Sequence, residues 1–489
     1  MAVPASPRAL VPVLIFVGTV VAVISSLGAP LVPAIADSLG ASLPGAQWSL
    51  TVTLLVGAVA TPVIGRLGDG PHRRGVILAV LGVVTLGGVL AALPLGLGWL
   101  ITGRALQGFG LGLTPLAIAT AREALTGERS RSTIAALSVT VVAGVGLGYP
   151  LAGLVAELGG VHAAFWAGAA VSAVALGASA VVLPPPSAPV SRRLDVVGAL
   201  LLGAGLAGVL VALGAAETRG WGSPAPWVLV GGSVAALAAW GVWELRTASP
   251  LVDLRLARGR VALSAHSAAL LVGLSNYLLL ASVPVLAQAP ASSGSGFGAS
   301  IVVAGLVLLP FSAASVVGGR LARALADRAG RQAVLPAAAL VQSGAFVLFG
   351  LARTDLWQLF ALMAVAGLGV GAAFAAFPAL VVSAVPASET GSAMSLNQVL
   401  RYVGFALGSA LTGTVLAAAT PTAGGAPSGE GYTTIAAIGF ATCIATALVA
   451  WLVAGRRPAA SPRDEHLAPG AAGQGHAGQG PAGQKRSAA

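Results

Sequence analysis

An arginine inside a long apolar stretch is the first residue whose position suggests chemistry. Arg104 is the only charged residue between Trp99 and Thr120. A guanidinium at the centre of a bilayer costs about 2.5–3.5 kcal/mol on insertion scales, so it should face the protein interior or a wet cavity. Gln107 comes three residues later and therefore lies on the same face of a helix. The alternative is an arginine that extends outward to the membrane surface.

A carboxylate among glycines and arginines forms a second pattern, and this pattern occurs twice. In both copies Gly-Arg-Leu is followed by an aspartate and then by arginine, which gives Gly65, Asp69, Arg73 and Arg74 in the first copy and Asp327 and Arg331 in the second. A carboxylate at a helix end can accept N–H groups from a neighbouring helix N-terminus, which is worth about 0.3–2 kcal/mol. The alternative is a solvated turn whose arginines merely flank a membrane. The aspartates are 258 positions apart, which indicates an internal repeat.

Small residues recur in the stretch GVGLGYPLAG at residues 144–153. Gly144 and Gly148 are four residues apart, so they share a helix face on which a second helix can approach closely. Pro150 permits a bend, and Gly153 continues the run of small residues. We therefore predict a close helix contact at this position.

The composition excludes a water-soluble protein. Only 8% of the 489 residues are charged, whereas soluble domains carry about 25% charged residues. The net charge of +11 fits arginines concentrated on one side of a membrane, and no basic patch is interleaved with aromatic residues as nucleic-acid binding would require. The single cysteine, Cys443, excludes disulfides and cysteine-based metal sites. Because neither an HExxH motif nor a phosphate loop occurs, we expect no metal, no cofactor and no catalytic residue.

The apolar stretches predict an all-α integral membrane protein. A bilayer core of about 30 Å needs roughly 20 apolar residues in a helix. Fourteen stretches meet this length, and they lie near residues 10–36, 45–65, 75–96, 98–121, 133–156, 161–183, 196–216, 225–245, 262–288, 297–320, 332–352, 356–383, 392–419 and 432–455.

The arginines indicate how these helices are oriented. Most of the 26 Lys and Arg residues fall in every second connection and in the two terminal segments, and such positive charge marks the cytoplasmic side. We therefore place both termini in the cytoplasm and the protein in the inner (plasma) membrane of the cell. A secretory signal is the alternative for the segment after Arg8, but the uncharged run from Ala9 to Ala36 is about twice as long as a signal core.

Three of these patterns together resemble the motifs of the major facilitator superfamily. Residues 65–75 resemble its signature between helices 2 and 3, and residues 100–110 (LITGRALQGFG) resemble the Arg-x-x-Gln-Gly signature of helix 4. Residues 144–153 resemble the Gly-Pro antiporter signature of helix 5. The branch with the greatest resemblance is that of the fourteen-helix drug:proton antiporters.

This resemblance implies two six-helix bundles with an inserted helix pair. The bundles would comprise residues 1–183 and 246–455, and the inserted pair residues 196–245. A stiff, proline-rich cytoplasmic linker would occupy residues 184–195. The tail at residues 456–489 is rich in Pro, Gly, Ala and Gln and is expected to be disordered. We expect a monomer.

The resemblance also implies secondary active transport with alternating access, in which a small amphiphilic or drug-like compound is exported in exchange for protons. Asp69 would latch the halves by capping the helix that begins near residues 391–393, and Asp327 would act in the same way near residues 132–133. Arg104 would couple ion binding to conformational change in a central cavity. Solute uptake and uniport are alternatives with the same fold, and an integral-membrane enzyme is a remote one.

Two departures from that branch leave the proton carrier open. Tyr149 separates Gly148 from Pro150, and the first span has no acidic residue before Asp37 at its outer end. Arginine does not deprotonate in proteins, so another group must carry the proton. The candidates are Asp37, His266 and a carboxylate on the substrate itself, and Asp37 is preferred because it would be accessible to water at a cavity mouth.

Polar residues in two later spans are further candidates. Asn276 and Tyr277 lie in the span near residues 262–288, and Asn397 and Arg401 lie in the one near residues 392–419. They could line the substrate path or form hydrogen bonds between helices. The sequence favours neither alternative.

Overall fold

The chain is helical throughout its described part. The structure is a computed structural model, and it describes residues 7–68, 72–184, 195–219, 222–248, 250–255, 259–384, 390–420 and 425–454. The first helices are α1 (Pro7–Ser26), α2 (Val32–Leu39), α3 (Leu43–Gly68), α4 (Arg73–Ala92), α5 (Leu97–Gly108), α6 (Leu113–Ala124) and α7 (Gly127–Val182). The later ones are α8 (Val196–Arg219), α9 (Pro224–Arg246), α10 (Arg260–Gln288), α11 (Ile301–Val307), α12 (Leu309–Ala329), α13 (Val334–Leu351), α14 (Leu356–Ala384), α15 (Thr390–Ala418) and α16 (Gly429–Ala454). No strand occurs in these ranges, in agreement with the all-α prediction.

Eleven helices in the described ranges are long and apolar enough to cross a membrane, and residues 196–209 form a shorter apolar helix. The count of fourteen stays a prediction. The predicted span at 98–121 is divided into α5 and α6 by a short 3-10 turn at Phe109–Gly112. The predicted spans at 133–156 and 161–183 form the single element α7, which is interrupted at Gly160. Gly160 has φ of 79°, a left-handed value that glycine adopts at no steric cost.

The two parts of the chain use the same pattern of helix pairing. We refer to α1–α7 as the first half, to α8–α9 as the insert and to α10–α16 as the second half. In the first half, α1 packs against α7, α3 against α5 and α4 against α7. In the second half, α10 packs against α15, α12 against α14 and α13 against α16. The repeat inferred from the sequence therefore corresponds to a repeated arrangement of helices.

Long helices with short connections run antiparallel to their neighbours, which defines two ends of each half. We call the end at residues 125–126 and 330–333 the proximal end, because α1 begins on that side. The end at residues 40–42, 160 and 289–300 is the distal end. That the proximal end is cytoplasmic stays a prediction, as do the boundaries of the two bundles. The predicted tail at 456–489 and all but the two end residues of the linker at 184–195 lie outside the described residues.

Glycines set the distance between α10 and α15. Gly273 lies against the backbone of Arg401, and Gly404 lies against the backbone of Leu270 and Leu274, so a Cβ at either glycine would collide with main-chain atoms. In lipid, where no hydrophobic force joins helices, such small residues allow the close packing that does. The two helices that carry most of the polar candidates of the second half are thereby held together.

The insert packs against α3 and α15 and contains two buried carboxylates near its proximal end. Asp195 accepts a hydrogen bond from Nε1 of Trp243 at 2.9 Å. Glu244 accepts one from Nε1 of Trp240 at 3.0 Å and one from the backbone N–H of Val252 at 3.3 Å. These donors offset the cost of burying the carboxylates. This cluster was not predicted from the sequence, since 49 positions separate the two acidic residues.

Candidate functional site

Arg104 lies at the meeting point of three helices and is only 1% exposed. Its Nε donates to the carbonyl of Ser49 in α3 at 3.1 Å. Its Nη1 donates to the carbonyl of Ile24 in α1 at 3.2 Å and to Oε1 of Gln107 in α5 at 2.7 Å. The side chain therefore faces the protein interior and does not extend to the membrane surface. Its planar fork of donors is what allows one residue to bond three elements.

One donor of this guanidinium is left over. Among the described residues, Nη2 of Arg104 is buried without a hydrogen-bond partner. It points towards Gly28, and the ring of Phe165 lies 5.9 Å from the guanidinium carbon. An unsatisfied buried donor costs about 1–3 kcal/mol, and more when it is charged. An acceptor group that enters here would therefore be bound favourably.

The second half contributes a cluster of aromatic rings with one arginine. The ring of Phe405 lies 4.7 Å from Tyr277, 5.7 Å from Tyr402 and 6.5 Å from Phe374. The guanidinium of Arg401 stacks 4.6 Å from the centroid of Phe374. We call Tyr277, Phe374, Arg401, Tyr402 and Phe405 the aromatic–arginine cluster. Two of its members, Tyr277 and Arg401, were candidates from the sequence, and Phe405 could have been found because it lies four residues after Arg401.

Arg104 and the cluster lie on helices that contact each other across the two halves. Arg104 donates to the carbonyl of Ser49 in α3, and α3 packs against α15, which carries Arg401, Tyr402 and Phe405. Tyr149, which interrupts the helix-5 motif in the sequence, is 2% exposed, and its backbone lies against Gly305 of the second half.

Hydrogen bonds join the two halves at the distal end. Nε2 of Gln288 donates to the carbonyl of Pro30 at 3.0 Å. Nε2 of Gln47 donates to Oγ of Ser409 at 3.0 Å, and the hydroxyl of Thr51 shares a 2.9 Å hydrogen bond with the same oxygen. We call these five residues the distal gate. A further bond nearby joins the backbone N–H of Val302 to Glu157 at 3.3 Å.

The helix-5 motif supplies a close contact beside this gate. Gly144, Gly148 and Pro150 lie within α7. A Cβ on Gly153 would collide with the backbone of Ile301, and a Cβ on Gly305 would collide with the backbone of Tyr149 and Pro150. The small residues therefore bring α7 of the first half against α11 of the second.

At the proximal end, the described part of the first signature forms a network around Arg73. Its Nε donates to the carbonyl of Gly68 at 2.8 Å, and its Nη1 forms an ion pair with Glu123 at the end of α6. Arg74 donates to the carbonyl of Ala180 at 2.6 Å. Asp69 lies outside the described residues. Glu123 was not among the residues predicted from the sequence, because 50 positions separate it from Arg73.

Several of the predicted site residues have no contact with Arg104 or with the aromatic–arginine cluster that the described part of the chain shows. Asp37, Asp327 and Arg331 are exposed at helix ends. His266 is buried in α10, with both ring nitrogens unbonded among the described residues.

The two asparagine candidates lie inside the second half. Asn397 donates to the carbonyl of Ala265 at 3.0 Å, which is the interhelical hydrogen bond that was the alternative to a substrate contact. Asn276 is buried beside Tyr277. Within the described ranges, no group of three or more His, Cys, Asp and Glu residues could hold a metal ion.

An apolar cleft of about 380 Å³, part of it open to the surroundings, lies between the insert, α3 and α15. Its lining consists of Leu55, Ala58, Leu206, Val209, Leu237, Val403, Ala406 and Leu407. Val403, Ala406 and Leu407 are on α15, directly next in sequence to the cluster members Tyr402 and Phe405. An apolar body can therefore lie within one helix thickness of the polar centre.

The sequence matches the family model described as the Major Facilitator Superfamily over residues 14–265 and again over residues 265–482. The chain belongs to the major facilitator superfamily. Within this superfamily it is similar to the triacylglyceride transporter of Mycolicibacterium smegmatis, with 30% identity over 74% of this chain and 67% of that relative. It is also similar to the tetracenomycin C resistance and export protein of Streptomyces glaucescens, with 28% identity over 81% and 73% of the two chains.

The solved structures show the same fold. A POT family transporter in complex with 5-aminolevulinic acid matches 92% of this chain and 99% of its own, with a TM-score of 0.66 and 13% identity. Identity that low shows the fold alone. As a member of the major facilitator superfamily, the protein is a multi-pass membrane transporter of small molecules and not an enzyme. Its place in the fourteen-helix branch stays a prediction.

Proposed function

We propose that this protein is a secondary active transporter that exports small amphiphilic compounds across the plasma membrane of a bacterial cell, in exchange for protons. The observation that carries the proposal is that α3, which accepts a hydrogen bond from Arg104, is itself hydrogen-bonded to α15, the helix that carries Arg401 of the aromatic–arginine cluster. Aromatic rings provide area for an apolar body, while the buried guanidinium groups orient a polar group. The apolar cleft beside α15 supports an amphiphilic substrate.

Alternating access requires the distal gate to open. Among the described residues, three hydrogen bonds of the gate and the one beside it contribute about 0.5–1.5 kcal/mol each, or about 2–6 kcal/mol together. A substrate can shift this equilibrium only by its difference in affinity for the two conformations, so that difference must reach a similar size. Asp69 and Asp327 are proposed to latch the proximal end in the opposite conformation by capping helix N-termini.

Export is favoured over uptake by the small-residue contact between α7 and α11, which corresponds to the antiporter signature, and by the printed function of the Streptomyces relative as an export protein. The proton carrier is proposed to be Asp37, which is exposed at the distal end of α2. His266 and an acidic group on the substrate are the alternatives, since arginine keeps its proton.

Transport into everted membrane vesicles tests the proposal. Compounds are first selected from a panel by comparing growth inhibition of a pump-deficient host with and without the protein. Selected compounds should accumulate in everted vesicles when a pH gradient is imposed and should not accumulate in right-side-out vesicles. Accumulation in right-side-out vesicles but not in everted ones would show uptake. Transport at the same rate with and without the pH gradient would show uniport.

A further inference from the structure

The charges at membrane depth have one sign. Every acidic residue in a described helix lies within three residues of a helix end or of the break at Gly160; these residues are Asp37, Glu123, Glu128, Glu157, Glu217, Glu244, Asp327 and Glu430. By contrast, Arg104 is seven residues from the start of α5, and Arg401 is eleven residues from the start of α15. The part of the centre that the structure describes is therefore positively charged.

Neither of the two arginines is neutralised by a carboxylate within the described ranges. Arg104 is bonded to two backbone carbonyls and to the neutral side chain of Gln107, and its Nη2 has no partner among the described residues. Arg401 contacts the face of Phe374. Charge–charge interactions are several times stronger at the low effective dielectric constant of a protein interior than in water. A cation that enters this site is repelled, and an anion is attracted.

The N–H groups of the two arginines also limit which kind of anion can bind. An arginine fork binds a carboxylate or a similar planar anion through parallel charge-assisted hydrogen bonds. The rings of Tyr277 and Phe405 pack against each other with their centroids 4.7 Å apart, and Phe405 lies four residues after Arg401 on the same helix, so apolar aromatic area lies next to the charge.

We propose that the substrates of this transporter are amphiphilic anions, in which an acidic group is attached to an aromatic or other flat apolar body, and that lipophilic cations are excluded. The inference rests on the proposed transport function and assigns its substrate class. Arg401 binds or attracts the acidic group, Arg104 supplies the unused donor at Nη2, and the cluster rings contact the apolar body.

The test uses two dyes that share a xanthene ring system, anionic fluorescein and cationic rhodamine 6G, in everted vesicles that contain the full chain. We expect fluorescein to accumulate with a KM at least tenfold lower than that of rhodamine 6G. R401Q should raise the KM for fluorescein at least tenfold, and R401K should raise it less than R401Q does, because lysine keeps the charge but loses the planar fork. R246Q removes an exposed arginine at the end of α9 and should leave the KM for both dyes unchanged.

The outcomes separate the two proposals. Rhodamine 6G that accumulates as well as fluorescein overturns the substrate class and leaves transport intact. Equal effects of R401Q and R246Q on the KM for fluorescein also overturn it, provided that size-exclusion chromatography shows both variants to be folded. If fluorescein fails to accumulate while compounds of the growth panel do, the anionic class is again wrong. If no compound accumulates at all, the proposed function fails as well.

Discussion

Replacing Arg104 with lysine separates the role of a positive charge from the role of a planar donor fork. The guanidinium bonds Ser49 of α3, Ile24 of α1 and Gln107 of α5, with donor–acceptor distances of 3.1, 3.2 and 2.7 Å. A lysine ammonium keeps the charge, but its three donors radiate from a single atom at the end of a flexible chain. From the position of Arg104 it can reach one of these acceptors well, and the other two lose their partner.

The expected loss follows from those two bonds. A hydrogen bond to a charged group contributes about 1.5–3 kcal/mol, so the packing of α1, α3 and α5 around residue 104 loses about 3–6 kcal/mol. Each 1.4 kcal/mol changes an equilibrium tenfold, so the equilibrium between the packed and the loosened arrangement of these three helices shifts by more than about a hundredfold. We therefore expect R104K to transport at least tenfold more slowly than the parent and to unfold at a lower temperature in detergent.

The matched control is R401K. Arg401 uses the face of its guanidinium against Phe374, and an ammonium retains a cation–π contact of this kind. Initial rates in everted vesicles at saturating substrate, normalised to the amount of folded protein, should therefore stay within threefold of the parent for R401K. Rates for R104K that also stay within threefold would refute the reasoning, because the fork would then have no role that a point charge cannot fill.

Three further predictions concern orientation, the gate and the proton. In a cysteine-free background, a membrane-impermeant thiol reagent should label Gly425→Cys and miss Ser187→Cys in intact cells; the opposite pattern contradicts cytoplasmic termini. Ser409→Ala removes two gate bonds worth about 1–3 kcal/mol, so spin labels on the distal ends of α2 and α11 should show longer distances, and unchanged distances would remove Ser409 from the gate. Asp37→Asn should flatten the pH dependence of transport and His266→Ala should preserve it; a normal pH profile for Asp37→Asn excludes that carboxylate as the carrier.

The interior position of Arg104 was predictable from the sequence because the cost of exposing a guanidinium to lipid is large and depends on position in the span alone. The same cost says nothing about its partners. The carbonyls of Ile24 and Ser49 come from helices that are 80 and 55 positions away in the chain. Contacts of this range depend on how helices pack, and an apolar span has little periodic pattern from which its packing face can be inferred.

The 3-10 turn at Phe109–Gly112 shows a second limit of the sequence. The apolar length of residues 98–121 predicts one continuous helix. A prediction from length alone takes no account of the closely spaced glycines at which the backbone tightens into a 3-10 turn. Here Gly110 lies against Ile24 and Val84, with no room for a Cβ. The turn is therefore explained by close packing around a small residue, which becomes visible only when the neighbouring helices are placed.

Arg104 is bonded to α3, which carries Gln47 and Thr51 of the distal gate, and to α1, which ends shortly before Pro30 of the gate. Ile24 of α1 comes six residues before Pro30, and Ser49 of α3 comes two residues after Gln47. An anion bound at Nη2 would compete with both carbonyls for the guanidinium. Each of these bonds contributes about 1.5–3 kcal/mol, and both lie within the first half, so their loss would loosen α1 and α3 and would not itself break the bonds between the halves. An anion at Arg104 would therefore act on the gate through the positions of these two helices, without any direct contact between substrate and gate.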